Sequence, residues 1–190
     1  MSAIKTIDAL IEAMKLKGLD TKDSIEARFP ELADALINNF GIQKGDKVFR
    51  FVETEFYHNL TDVEVINGKV KKITYKRETE SCDFFFHNYG VDLAFESDGK
   101  RYGGVLIRAM KCGDEFINGP GRVADRLFDK FSAVRQPKDF PVLVPLNECD
   151  SIIPAIHKRW HIDGKHEYRY TWPKEKWVPA KKYDAYPWNE

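Results

Sequence analysis

The chain has 190 residues, 43% of them apolar and 32% charged, and its 30 basic side chains are matched by 30 acidic ones, so the formal net charge is zero. That length suits one domain with a substantial core. The neutral balance argues against binding nucleic acid through overall charge, and no apolar run approaches the ~20 residues of a membrane span.

The N-terminal stretch, Met-Ser-Ala-Ile-Lys-Thr-Ile-Asp-Ala-Leu, is helix-like and lacks the apolar block of a signal peptide. It reads as the start of a soluble, cytoplasmic protein. Ile4, Ile7, Leu10, Ile11 and Met14 form a helical stripe that Gly18 ends. Thr21 or Asp23 caps a short second helix through Ala27. Pro30 opens a third, with Leu32, Ala33, Leu36, Ile37 and Phe40 inward and Gly41 as its stop. Residues 1–41 thus form a helical layer.

Gly45-Asp46 is a turn into Phe49–Tyr57, Phe-Arg-Phe-Val-Glu-Thr-Glu-Phe-Tyr. With a strand's period of two, Phe49, Phe51, Glu53, Glu55 and Tyr57 share one face, apolar at first and ending in two carboxylates and a tyrosine. On an ideal strand the two acids sit ~6.5–7 Å apart. Such a strand end can wall a catalytic pocket, or its acids can simply be solvated or paired.

Residues 62–66 and 69–75 flank Asn67-Gly68, the strongest two-residue hairpin signal. Further strands are expected over 83–87, 91–96, 101–110 and 142–146, with a turn at Ser97–Gly99. Gly119–Gly121 opens a helix from about Arg122 to Phe131, with Val123, Leu127, Phe128 and Phe131 inward. Residues 46–150 form a sheet-rich core. Residues 151–190 carry eight Lys/Arg against five Asp/Glu among aromatics such as Trp160, Tyr168, Tyr170, Trp172, Trp177, Tyr183, Tyr186 and Trp188. Basic residues interleaved with aromatics can grip phosphates and stack bases, or the aromatics can belt the core.

Cys82, Cys112 and Cys149 are too few and too scattered for a disulfide framework or a metal site. His157 and His161 stand four apart, but no second pair of ligands accompanies them. No metal and no cofactor is expected.

Four local motifs carry chemistry in a fixed order. They are Arg50-Phe51-Val52-Glu53-Thr54-Glu55-Phe56-Tyr57; Phe84-Phe85-Phe86-His87-Asn88-Tyr89-Gly90; Gly104-Val105-Leu106-Ile107-Arg108-Ala109; and Asn118-Gly119-Pro120-Gly121-Arg122 before a helix. Across residues 45–130 this order resembles the alkyladenine (3-methyladenine) DNA glycosylase family. The resemblance implies an α+β single domain, a curved, mainly antiparallel sheet with an N-terminal helical layer. It implies duplex DNA as the partner, from which a damaged purine is flipped out and its N-glycosidic bond hydrolysed. The sequence does not fix the oligomeric state; a monomer is the expectation.

By the same resemblance Glu55 activates water, with Glu53 beside it. Tyr57 and Phe86 sandwich the base, Tyr89 wedges into the duplex, and Arg108 and Arg122 contact DNA near the pocket. The family's pocket histidine is missing, since Ile66 occupies its place. His58 and His87 are the candidate substitutes. Glu96 stands where the family has a pocket asparagine. A non-catalytic member of the fold, binding a small molecule, a nucleotide or a protein, is the alternative reading.

Overall fold

The computed structural model describes residues 3–66, 69–129, 134, 139–148, 151–159 and 166–177. Helix α1 (Ile7–Met14) starts where the Thr6 hydroxyl accepts the Ala9 amide at 3.2 Å, and it buries Leu10 and Met14. Helix α2 (Lys22–Asn39) starts with a reciprocal capping box between Thr21 and Ser24.

The second and third expected helices are therefore one, with Pro30 inside it. An internal proline costs about 3 kcal/mol. Ile25, Phe29, Leu32, Leu36 and Ile37 are all buried along the continuous stripe, and each contributes about 1.5–3 kcal/mol. Burial wins. The proline-as-start signal fails because the stripe on its two sides shares one phase.

Gly41 does not end the helix. The chain turns extended at Phe40 and continues as strand β1 (Phe40–Lys44). A Cβ at Gly41 would fall 2.9 Å from the Phe49 carbonyl oxygen and 2.9 Å from Val48 Cγ1, so glycine permits close strand approach here.

Strand β2 (Lys47–His58) follows the expected Gly45-Asp46 turn. Then come β3 (Val63–Ile66), β4 (Lys69–Lys72), β5 (Phe84–His87), β6 (Gly90–Ala94), β7 (Gly103–Cys112) and β8 (Glu115–Asn118). Helix α3 (Pro120–Leu127) precedes β9 (Val142–Pro145), β10 (Ala155–His157) and β11 (Arg169–Thr171). Strands β3 and β4 pair antiparallel as the hairpin reading requires, although Asn67 and Gly68 themselves lie outside the described residues. So do Phe131, Cys149, Trp160, His161, Tyr183, Tyr186 and Trp188.

The other nine strands form a single curled antiparallel sheet with a spine β10-β11-β2-β7-β6-β5; β1 joins β2 to β9, and β8 hangs on β7. With the three helices among the described residues the fold is α+β. Phe29 of α2 meets Phe56 (4.8 Å between ring centroids) and Tyr168 (5.2 Å, edge-on), forming the centre of the core. No helix among the described residues is long and apolar enough to cross a membrane.

One irregularity decides which way the chemistry-bearing side chains point. The β2–β7 register slips between Phe51 and Glu53 and slips back between Glu53 and Thr54. One residue on each strand is left over, and alternation inverts across such a bulge. Before it, Phe51 pairs with Met110 and Met110 with Ile117. After it, Phe56 pairs with Val105, Val105 with Leu93 and Leu93 with Phe84.

Helix α3 touches both sets. Arg126 pairs with Glu115, two residues from Ile117, at 2.6 Å, and Phe128 just beyond the helix packs on Phe84 at 5.1 Å. Phe49 and Phe51 therefore share the helix-covered face with Phe56. Glu53, Glu55 and Tyr57 occupy the opposite face. The expected single face running from Phe49 to Tyr57 is broken by the bulge.

Candidate active site

Glu55 pairs with Leu106 on one side and Arg169 on the other, so those three residues share a face. On that face the Tyr57 hydroxyl donates to Glu55 Oε1 at 2.5 Å. Arg108 forks between the acids, with Nε 3.0 Å from Glu53 Oε1 and Nη1 2.8 Å from Glu55 Oε2. Arg169 Nε lies 3.7 Å from Glu53 Oε1. Glu55 and Arg169 are completely buried and Glu53 nearly so.

Burial pushes the Glu55 carboxyl above the ordinary carboxylate range; Arg108 and the Tyr57 hydroxyl pull it back, while Glu53 adds to the rise. Burial and the adjacent Glu55 push the Tyr57 hydroxyl up as well, so it stays a neutral donor.

A second buried network braces this one. Arg159 bonds Asp62 Oδ1 at 2.6 Å and the Phe56 carbonyl at 3.2 Å, and its guanidinium lies over the rings of Tyr57 (4.8 Å) and Tyr168 (5.0 Å). The other Asp62 oxygen accepts the His58 amide at 3.0 Å and the Thr74 hydroxyl at 2.6 Å. Tyr57 is thus held by Glu55 at its hydroxyl and by Arg159 at its ring.

Two strands away, Asp92 pairs with Leu106 and so lies on the same face as Glu55. Buried Asp92 bonds Arg77 at 2.6 Å and His87 Nε2 at 3.0 Å, and the Arg77 guanidinium stacks 3.9 Å from the Phe85 ring. The Tyr89 amide donates to His87 Nδ1 at 3.2 Å. Nδ1 must then be the acceptor, which puts the ring proton on Nε2, toward Asp92.

Of the two candidate histidines, His87 shares the face of Glu55 but has both ring nitrogens occupied. His58 pairs with Gly103 on the helix-covered face, where its ring packs near Phe95 and burial lowers its pKa to about 4. His58 is thus turned away from Glu55, and His87 is held by Asp92 and the Tyr89 amide.

Phe86 does not face Tyr57. It pairs with Val91, the neighbour of Asp92, and so points to the opposite side of the sheet. There it packs on Phe128 at 4.7 Å and is 52% exposed. The side chain that the hairpin presents on the acid face is Phe85, and Arg77 covers it. A sandwich of Tyr57 and Phe86 is ruled out by strand parity alone.

Arg108 is turned inward onto the two acids, not outward. Glu96 is exposed beyond the end of β6. Tyr89 is 66% exposed at the β5–β6 turn, and Arg122 is exposed in the first turn of α3. The turn abuts that helix, because a Cβ on Gly90 would fall 2.9 Å from the Pro120 carbonyl oxygen.

Arg159, Arg169 and Arg77 were not singled out from the sequence; of the two acids that could pair with Arg108, Glu53 does so, while Asp92 is taken by Arg77 and His87. Tyr168-Arg169-Tyr170-Thr171 alternates aromatic with polar, a strand pattern that could have flagged Arg169. The register with Glu55 could not have been read.

Glu55, Glu53, Tyr57 and Arg108 together offer a carboxylate made more basic by burial, a neutral hydroxyl donor and a fixed cation. Such a set can hold a water, take its proton and stabilise neighbouring positive charge. Among the described residues no group of three His, Cys, Asp or Glu side chains is placed to hold a metal ion. Comparisons with protein-family models, with curated proteins and with solved structures found no match to this chain.

Proposed function

We propose that the chain hydrolyses N-glycosidic bonds as a DNA-glycosylase-like enzyme, removing a damaged purine flipped from duplex DNA, with Glu55 as the water-activating carboxylate. One observation carries this reading. Glu55 and Tyr57 come from one motif and Arg108 from another more than fifty residues away, yet they meet within 2.5–2.8 Å on one sheet face. Glu55 takes the proton as water attacks the sugar carbon, and the base departs with the bonding electrons. The two carboxylates favour the cationic sugar of the transition state. Arg108 orients them, and Tyr57 offers a ring edge and a hydroxyl. Exposed Tyr89 fits the gap left by the flipped base.

A second reading is favoured by the burial of Glu55 and the reversed Phe86. In it the acids and arginines are an internal charge lock, and the fold serves as a binding module without catalysis. Incubating purified protein with methylated and deaminated duplex DNA, and measuring released base, separates the two. Release by the native chain and none by Glu55→Gln supports the hydrolase. Equal release by both excludes Glu55 as the base, and release by neither leaves the binding module.

A further inference from the structure

The His87 ring is engaged at both nitrogens, and the two bonds make different demands on it. Nε2 lies 3.0 Å from Asp92 Oδ1, and Nδ1 accepts the Tyr89 amide at 3.2 Å. The first bond survives protonation of the ring and the second does not. A neutral imidazole offers one donor and one acceptor, whereas an imidazolium offers two donors and no acceptor. Once Nδ1 carries a proton, the bond that closes the β5–β6 turn becomes a contact between two donors.

The surroundings decide which partner yields. The side chains of His87 and Asp92 are 8% and 2% exposed. Tyr75 stacks on the imidazole, with 5.3 Å between ring centroids. The groups that face the ring from outside β5 are the Asp92 carboxylate of β6, the Arg77 guanidinium bonded to the other Asp92 oxygen, and the rings of Tyr75 and Tyr89. Tyr89 itself is 66% exposed. Toward α3 the turn is blocked, because a Cβ on Gly90 would meet the Pro120 carbonyl oxygen at 2.9 Å. The ring is clamped, so the turn is the part that moves, and it moves away from α3.

We infer that His87 is a proton-operated latch on the β5–β6 turn: neutral His87 holds Tyr89 by its amide, and protonated His87 releases it. Imidazole is the side chain whose charge ordinarily changes between pH 5 and 8, which is the range in which such a latch works. The latch concerns the turn and not the chemistry of Glu55, so it holds equally for a hydrolase and for a binding module.

The test is amide hydrogen exchange at Tyr89, read by NMR across that pH range beside the nitrogen shifts of the His87 ring. Exchange is expressed as protection relative to an unstructured peptide at each pH, which removes the intrinsic pH dependence. At the alkaline end the ring shifts should show a proton on Nε2 and none on Nδ1. As the ring titrates, Tyr89 protection should fall about fivefold or more, the worth of one hydrogen bond, with the same midpoint. The Lys100 amide is the control. It donates to Asp98 Oδ1 at 3.0 Å, and Asp98, held down to about 2 by its bonds from Arg101, stays charged throughout, so its protection should not change. His87→Asn puts a side-chain oxygen that does not titrate within reach of the amide two residues on, an Asx-turn, and should abolish the step. The native chain decides by itself if that variant folds poorly. A proton on Nδ1 at the alkaline end, a ring that does not titrate in this range, Tyr89 protection that ignores the titration, or a step that persists in His87→Asn overturns the inference.

Discussion

Arg108 holds Glu55 at 2.8 Å across two neighbouring strands, and the same guanidinium holds Glu53 at 3.0 Å. The carboxylate most suited to act as a base is therefore bound to the cation that partly offsets the effect of burial on its charge. Removing Arg108 leaves two buried acids without that cation. Breaking a buried pair from one side costs about 3–5 kcal/mol. Arg108→Ala should lose that much in urea unfolding, and adding Glu55→Gln should recover part of the loss. Strictly additive effects in the double-mutant cycle would show that the pair is not coupled.

The pH dependence has two opposed parts. Burial lowers His58 from about 6.5 to about 4, so in that window the unfolded chain takes up a proton that the folded chain refuses. This contribution is complete above pH 6.5 and is lost as pH falls toward 4, by an amount on the order of 3 kcal/mol. His58→Asn, whose side-chain oxygen can replace Nδ1 as acceptor for the Leu60 amide, should flatten the decline between pH 6.5 and 4. An unchanged slope would place the acid sensitivity elsewhere.

Glu55 has the reverse sign. Its raised folded-state value means that the folded chain keeps a proton the unfolded chain has already lost. The associated stability is present in acid and disappears as pH rises through the raised value. For hydrolysis the consequence is an acid limb lying above the ordinary carboxylate range, because only ionised Glu55 can accept the proton. A rate profile whose acid limb sits at an ordinary glutamate value would point to a different base.

Much of the architecture could be read from local signals. The Gly45-Asp46 turn, the hairpin flanking Asn67-Gly68 and most central strands follow from turn chemistry and alternation. Pro30 and Gly41 misled because a local helix signal was overridden, by the continuous apolar stripe of α2 in one case and by close strand approach in the other. The site was legible in its residue types but not in its geometry. Glu55, Tyr57 and Arg108 converge, while Phe86 and His58 fall on the far face. A period-two reading cannot see a bulge whose cause is the pairing of β2 with β7. Nor does any spacing announce that Arg169, from the last described strand, settles beside Glu55.

Tyr89 tests the DNA half of the proposal with little risk to the fold. It is 66% exposed; its backbone amide anchors the turn through His87, whose ring lies 6.1 Å from that of Tyr89. Loss of an intercalating aromatic removes about 1–3 kcal/mol of stacking. Tyr89→Ala should therefore weaken duplex binding by about tenfold or more while unfolding at an unchanged urea midpoint. Titration of labelled duplex, intact and with an abasic site, at two salt concentrations measures both effects. Equal affinity for native and variant protein would remove Tyr89 from the interface.

Gly90 links that turn to helix α3. Its φ of 151° lies where side chains are rarely tolerated, and an added Cβ would meet both the Cβ and the carbonyl oxygen of Pro120 at 2.9 Å. The obstruction is backbone, which cannot rotate aside. Gly90→Ala must therefore push the β5–β6 turn away from the start of α3, carrying Tyr89 with it and disturbing the His87–Asp92 bond on the acid face. Strained backbone of this kind costs about 1–3 kcal/mol. The variant should thus unfold at a lower urea concentration and, on the proposed DNA-binding role of Tyr89, should bind duplex more weakly than its loss of stability explains, because Tyr89 is displaced relative to Arg122. Comparison with Gly99→Ala separates the two effects, since Gly99 also has positive φ but has open space around its missing Cβ. If both variants lose stability alike and neither loses binding, the turn and the helix start do not act as one unit.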